Sequence, residues 1–213
     1  MIVAILVLGA VTAALGWRLV EARRTSIWVV MGLVNAALGL AALVTGRIRL
    51  SLRLAPAGAA AAGLAAGVAL YAATVLFVGA VRRWPAFDRH VQALYGNRGS
   101  LTTPVAIVLA AGVVAPGEEL FWRGLFQSHL ATGGSRVTAA AVTWAVYVAA
   151  NAAGLSLPIA AAAVVGGGVW GLLAMWTGGV LASLLCHAVW TGLMVGLPPP
   201  GAVARGPAGS VDA

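Results

Sequence analysis

Charged residues and cysteines are scarce in this chain of 213 residues. Only 8% of the residues are charged, 62% are hydrophobic, and the mean hydropathy is +0.99. A soluble globular domain has about 25% charged residues, so this composition indicates an integral membrane protein. The single cysteine, Cys186, excludes an intrachain disulfide framework and a metal site built from several cysteines.

Lysine is absent, and all thirteen basic residues are arginines, against five acidic residues. A net charge of +8 can favour nucleic acid as a partner, but these arginines lie between long apolar runs. In that position they are typical of residues that set membrane topology and contact lipid headgroups. We therefore expect membrane lipid, and no nucleic acid, among the partners of this protein.

Seven apolar runs predict an all-α integral membrane protein, a bundle of about seven transmembrane helices, because a bilayer core of about 30 Å requires about 20 residues per helix. The predicted spans are 1–17, 27–44, 57–81, 101–130, 137–153, 157–175 and 178–197. The polar segment 82–100 carries apolar residues at helical spacing, which predicts an amphipathic helix on the membrane surface. With seven spans, eight arginines fall on one side and those at 47, 49, 53 and 136 on the other, which makes the first side cytoplasmic.

Two adjacent acids stand inside the fourth predicted span, in the sequence Pro-Gly-Glu-Glu-Leu-Phe-Trp-Arg-Gly of residues 116–124. Ionisable groups are costly at membrane depth, so they indicate a functional site. Pro116 predicts either that a helix starts near Gly117 or that a longer helix kinks there. Glu119 and Arg123 can pair on one helix face, which leaves Glu118 free for chemistry. An ion pair that only holds helices together would give the same pattern.

Polar residues four positions apart also occur in the fifth and seventh predicted spans. Tyr147 and Asn151 share one helix face, and so do His187 and Thr191. Each pair taken alone is compatible with an ordinary hydrogen-bonded helix contact. Together with the acidic stretch they predict one polar pocket inside the membrane.

The order of these three motifs resembles the CPBP family, which comprises CAAX prenyl proteases of the Ras-converting type and bacteriocin-processing enzymes and is also called the Abi domain. The resemblance covers about residues 103–195. The first motif, Glu-Glu-x-x-x-Arg-Gly at residues 118–124, is complete. The family has Phe-x-x-x-His and His-x-x-x-Asn in the other two motifs, where this chain has Tyr147 with Asn151 and His187 with Thr191.

The resemblance implies an intramembrane endopeptidase that hydrolyses a membrane-embedded or prenylated-like peptide with a water activated by the acid at Glu118. It also implies that Glu118, Glu119, Arg123, Asn151, His187 and Thr191 are the catalytic positions. A divalent metal such as zinc is often assumed for this family, with Glu118 and His187 as the candidate ligands here. The expected location is the bacterial cytoplasmic membrane, and the expected partners are lipid and a peptide or protein substrate.

The same resemblance divides the chain into three parts. Residues 1–100 hold the N-terminal transmembrane helices and the interfacial segment, and residues 101–197 form the core that resembles the family. Residues 198–213 are rich in proline and glycine and are predicted to be disordered.

Two other functions are compatible with this sequence. Because Asn151 cannot take up a proton as histidine does and is a poor zinc ligand, the chain is also compatible with a catalytically silent relative that binds a membrane peptide or an immunity or assembly partner. A small transporter could use Glu118 and His187 as a proton relay, but no internal repeat supports that hypothesis. Convergence of Glu118, Asn151, His187 and Thr191 on one pocket would favour the peptidase.

Overall fold

Eight helices and no strand make up the part of the chain that the computed structural model describes, residues 1–22, 26–96 and 101–202. The predicted all-α fold is therefore confirmed. We number the helices in chain order as α1 Ile2–Glu21, α2 Ile27–Val44, α3 Pro56–Val81, α4 Pro85–Gly96, α5 Thr103–Thr132, α6 Arg136–Ala152, α7 Leu157–Thr177 and α8 Leu181–Gly196.

Five of these helices, α1, α2, α3, α5 and α7, are long and apolar enough to cross a membrane. The protein is an integral membrane protein. The predicted fifth and seventh spans are the helices α6 and α8, which have 17 and 16 residues. At 1.5 Å per residue they are about 24–26 Å long, a little shorter than a hydrocarbon core of about 30 Å. The predicted interfacial segment contains α4, which carries Phe87 and Val91 on its buried side.

Helix α5 is one continuous helical segment that runs through Pro116. The alternative in which a helix starts near Gly117 is wrong, and the longer helix is observed. A π-helical turn over Ala110–Val114 precedes the proline, and the wider turn accommodates a ring that clashes with a carbonyl of the preceding turn in a regular α-helix. A second π-helical stretch, Leu120–Gln127, follows the two glutamates and holds Arg123.

Glycines allow the neighbouring helices to approach α5 and α8 closely. A Cβ added to Gly117 would lie 2.1 Å from the backbone oxygen of Asn35 on α2. A Cβ added to Gly63 on α3 would lie 2.4 Å from the backbone oxygen of Ala182 on α8. These contacts pack α5 and α8, two of the three helices that carry the motif residues, against α2 and α3.

We expect Gly117→Ala to destabilise the protein, because the new methyl group must push α2 away from the residue that precedes Glu118. Inserting volume into a tightly packed interior typically costs about 1–3 kcal/mol. Gly112→Ala is the matched control on the same helix, because nothing lies within 4 Å of a Cβ at that position. Thermal unfolding in detergent should show a lower melting temperature for Gly117→Ala only; equal melting temperatures for the two variants would contradict the close contact.

The predicted disordered tail begins with residues that the structure does describe. The carbonyl of Pro200 accepts a hydrogen bond of 2.5 Å from the Arg82 guanidinium, and Ala202 is buried in a small apolar cluster with Val78, Phe87 and Val91. Residues 203–213 lie outside the described part of the chain.

Candidate active site

Three helices bring their polar residues together in the interior of the bundle. Helix α5 supplies Glu118, Glu119 and Arg123, while α6 supplies Tyr147 and α8 supplies His187. Each of these residues is at most 6% exposed to solvent. A buried group of this kind in a membrane protein must satisfy its charges and hydrogen bonds within the protein.

Glu119 is the centre of the charged part of this cluster. Its Oε1 accepts a hydrogen bond of 3.0 Å from the Arg123 guanidinium and lies 3.0 Å from the Nδ1 of His187. The predicted buried pair of Glu119 and Arg123 is confirmed, with both side chains at most 1% exposed. Since the same oxygen contacts the imidazole, Glu119 fixes the orientation of His187 as well.

Arg123 is held on three sides. Besides Glu119, its guanidinium donates a hydrogen bond of 3.0 Å to the backbone carbonyl of Gly167 on α7. It also lies 4.5 Å from the centre of the Tyr147 ring, a cation–π contact. The close approach depends on the glycine, because a Cβ at Gly167 would lie 2.8 Å from the Tyr147 ring. Gly167 therefore permits the close contact between α6 and α7.

Glu118 faces a different partner from Glu119. The Tyr147 hydroxyl donates a hydrogen bond of 2.7 Å to its Oε2. Glu118, which the sequence predicts to be free for chemistry, thus has one hydrogen-bond partner, at the position where the resembling family has a phenylalanine. One carboxyl oxygen is engaged in this way, and the other is available to a water or a substrate.

His187 lies flat against Trp170 of α7. The ring centroids are 3.6 Å apart and the planes differ by 14°. Trp170 also contacts Tyr147, edge to face, with centroids 6.3 Å apart. Trp170 therefore contacts both Tyr147, which bonds to Glu118, and His187, which bonds to Glu119. Its stacking also restricts rotation of the imidazole.

Asn151 and Thr191 do not join this hydrogen-bonded cluster. The Asn151 amide donates to the backbone carbonyl of Tyr147, one turn earlier on its own helix, at 2.9 Å. The Thr191 hydroxyl is buried and makes no hydrogen bond within the described part of the chain. Glu118, Asn151 and His187 are all buried, but none of the three lines either of the two cavities described below.

An apolar cavity of about 420 Å³ lies beside the cluster. Its wall includes Trp190 and Thr191, which follow His187 on α8, and Val114, one turn before Glu118 on α5. Gly166, next to the Arg123 acceptor, also lines it. Thr191, whose buried hydroxyl makes no hydrogen bond within the described part of the chain, thus lines this cavity.

The donor set does not fit the predicted zinc ion. Residues 1–22, 26–96 and 101–202 contain no group of three or more His, Cys, Asp or Glu side chains that could hold a metal. Catalytic zinc usually has three protein ligands, whereas the two candidate ligands, Glu118 and His187, already bond to Tyr147 and Glu119.

Sequence reasoning missed two further contributors, Trp170 and Gln127. Gln127 donates to the Gly171 carbonyl at 3.0 Å, one turn beyond the equivalent bond from Arg123 to Gly167. The matched four-residue spacing of Arg123 with Gln127 and of Gly167 with Gly171 could have revealed this pair. No sequence pattern distinguishes Trp170 from the other tryptophans of the apolar spans.

In the comparison with known protein families, part of the chain matches one family model. Residues 100–193 match the family described as type II CAAX prenyl endopeptidase Rce1-like. Comparison with curated proteins and with solved structures gives no match. The matched region begins just before α5 and ends within α8, so it contains every residue of the cluster. Residues 100–193 of this integral membrane protein are therefore similar to the Rce1-like family of type II CAAX prenyl endopeptidases, in agreement with the resemblance that the order of the sequence motifs indicated.

Proposed function

We propose that this protein is an intramembrane endopeptidase that hydrolyses a membrane-embedded or prenylated-like peptide in the bacterial cytoplasmic membrane. The observation that carries the proposal is the buried cluster in which Glu118 bonds to Tyr147 while Glu119 holds both Arg123 and His187. Such a cluster is costly inside a membrane bundle, and its residues are those of the complete first motif and the last histidine.

Glu118 is the proposed general base. Its oxygen that does not bond to Tyr147 accepts a proton from a water, and the water oxygen forms a bond to the peptide carbonyl carbon. The carbonyl oxygen becomes an oxyanion. When the C–N bond breaks, the protonated Glu118 returns the proton to the leaving amine, so a free carboxyl and a free amine are formed.

His187 and Thr191 are the proposed oxyanion donors. When His187 carries both ring protons, Nδ1 donates to Glu119 and Nε2 is available to donate to the oxyanion. The unpaired Thr191 hydroxyl supplies a second donor, and such donors are typically worth about 3 kcal/mol each.

The apolar cavity is the proposed site for the hydrophobic part of the substrate. Its wall is almost entirely nonpolar and includes Leu70, Phe77 and Trp190. Such a surface suits an apolar peptide segment or a prenyl-like chain next to the scissile bond.

The experiment is to incubate the protein in liposomes with peptides that carry a C-terminal prenylated cysteine motif, with the same peptides lacking the prenyl group, and with apolar transmembrane peptides. Mass spectrometry of the products should show cleavage of at least one class at a single position.

We expect metal chelators to leave this cleavage unchanged, because the described donor set is too small for zinc and no proposed step uses a metal. The measurement compares initial rates with and without 1,10-phenanthroline and determines the zinc content of the purified protein. Loss of activity on chelation, restored by adding zinc, would show that a metal contributes and that the assignment of ligands is wrong.

A catalytically silent peptide-binding protein is the second candidate. The orientation of Asn151 favours it, because the amide that replaces the family histidine bonds to its own helix and leaves Glu118 without a second basic group. In that case the same peptides would bind to the liposomes without being cleaved.

A further inference from the structure

A second pocket, of about 450 Å³, opens at the end of the bundle where α2 and α5 terminate and α3 and α6 begin. Five arginines line it, namely the four outer arginines Arg47, Arg49, Arg53 and Arg136 together with the buried Arg123, and none of its lining residues is acidic. We call it the arginine pocket. It lies outside the cluster of Glu118 and Glu119, although Arg123 contributes to both.

The four outer arginines have no carboxylate partner within the described part of the chain. The chain has only five acids, and the described ones are engaged elsewhere. Glu21 pairs with Arg18 and Asp88 with Arg82, while Glu118 and Glu119 lie in the candidate active site. The fifth acid, Asp212, lies outside the described residues. No described carboxylate neutralises the positive charge of the pocket, so the pocket favours binding of an anion from outside the chain.

The backbone that carries these arginines is fixed against the turn between α7 and α8. The Val180 and Leu181 N–H groups donate to the carbonyls of Arg49 and Leu50, each at 2.9 Å. The Arg53 N–H donates to the Thr177 carbonyl at 3.0 Å. Two arginines of the pocket are thus placed before any ligand arrives, which lowers the entropic cost of binding.

The pocket also has a buried lining residue, Arg123. The Arg123 side chain is only 1% exposed, and its Nε makes no hydrogen bond within the described part of the chain. Arg123 therefore adds a fifth guanidinium group, with one unpaired N–H, to the lining of this pocket. If the arginines only set the orientation of the protein in the membrane, neither a pocket nor an unpaired buried donor would be needed.

Apolar side chains alternate with the arginines at the rim. Leu50 is 60% exposed and Leu52 is 70% exposed, and Leu52 lines the pocket. Exposed leucines beside arginines at the end of the spanning helices suit the boundary between headgroups and acyl chains. This arrangement favours an anion attached to acyl chains over a free anion from solution.

We propose that the arginine pocket binds the headgroup of a membrane lipid that carries two negative phosphate charges. Guanidinium groups bind phosphate oxygens through paired hydrogen bonds, and basic pockets between transmembrane helices bind polyanionic headgroups. Four outer guanidinium groups around one pocket match two phosphates better than one.

The experiment measures thermal unfolding of the full chain in mixed micelles that contain cardiolipin, phosphatidylglycerol or phosphatidylcholine, which carry two, one and no net negative charge. Cardiolipin should raise the melting temperature of the wild type most, and phosphatidylcholine should have no effect. For Arg49→Gln with Arg53→Gln, the cardiolipin concentration needed for the same increase should be roughly 30-fold higher.

Arg83→Gln with Arg89→Gln is the matched control, because it removes the same charge from exposed positions outside the pocket. This variant should respond to cardiolipin as the wild type does. An equal loss in both double variants would overturn the pocket as the binding site. An equal effect of cardiolipin and phosphatidylglycerol would overturn the requirement for two charges. If free pyrophosphate at the same concentration raises the melting temperature as much as cardiolipin does, the ligand is not a lipid. If only peptides with a free C-terminal carboxylate raise the melting temperature, the ligand is not a lipid either. If the double variant does not fold, the charge series and the pyrophosphate comparison on the wild type decide the proposal.

Discussion

Glu118→Gln is expected to lower the rate of peptide cleavage by about 10²–10⁴-fold, the usual contribution of a positioned general base. Glutamine keeps the shape of the side chain and an oxygen that can accept the hydrogen bond from the Tyr147 hydroxyl. It cannot take a proton from water. The fold should therefore be retained while the chemical step is lost, and initial rates in liposomes measure the difference.

Glu21→Gln is the control for this substitution. Glu21 is an exposed acid at the end of α1, paired only with Arg18. The same chemical change there should leave the cleavage rate as it is in the wild type. Unchanged cleavage in Glu118→Gln would remove this acid from the mechanism.

Arg123→Ala is expected to produce the largest loss of stability among substitutions of the candidate site. It removes the hydrogen bonds to Glu119 and to the Gly167 carbonyl, and it removes the cation–π contact with Tyr147. Glu119 is 0% exposed, and leaving one partner of a buried pair uncompensated costs about 3–5 kcal/mol. Thermal unfolding in detergent should show a large decrease of the melting temperature.

Arg18→Ala removes the arginine of an exposed ion pair and serves as the comparison. The Arg18 side chain is 52% exposed, and surface ion pairs contribute about 0–1 kcal/mol. Its melting temperature should be close to that of the wild type. If Arg123→Ala unfolds at the same temperature as Arg18→Ala, the buried pair does not hold α5, α7 and α8 together.

Hydrophobicity and local spacing predicted the fold class and the pair of Glu119 and Arg123 from the sequence. Both depend on neighbours along one helix, since apolar length determines a span and four residues form one turn. The course of the chain through Pro116 could not be decided locally. It depends on the π-helical turn over 110–114 and on the packing of Gly117 against α2.

The contacts between helices could not be predicted from the sequence patterns. The sequence placed Glu118, Asn151, His187 and Thr191 at membrane depth, but spacing within a helix does not state which residues of other helices they meet. The structure joins His187 to Glu119, and Tyr147 to Glu118, whereas Asn151 bonds within its own helix. The stacking of Trp170 on His187 likewise depends on how α7 and α8 cross.

Cleavage in water enriched in oxygen-18 tests the central claim most directly. The protein in liposomes is incubated with the prenylated and apolar peptides in that water, and the products are weighed by mass spectrometry. The proposed mechanism predicts that the new C-terminal carboxyl group carries one oxygen-18 in the wild type and that no such product forms with Glu118→Gln. Binding of the peptides without any labelled product, or a labelled product formed equally by Glu118→Gln, would contradict a peptidase that uses this acid.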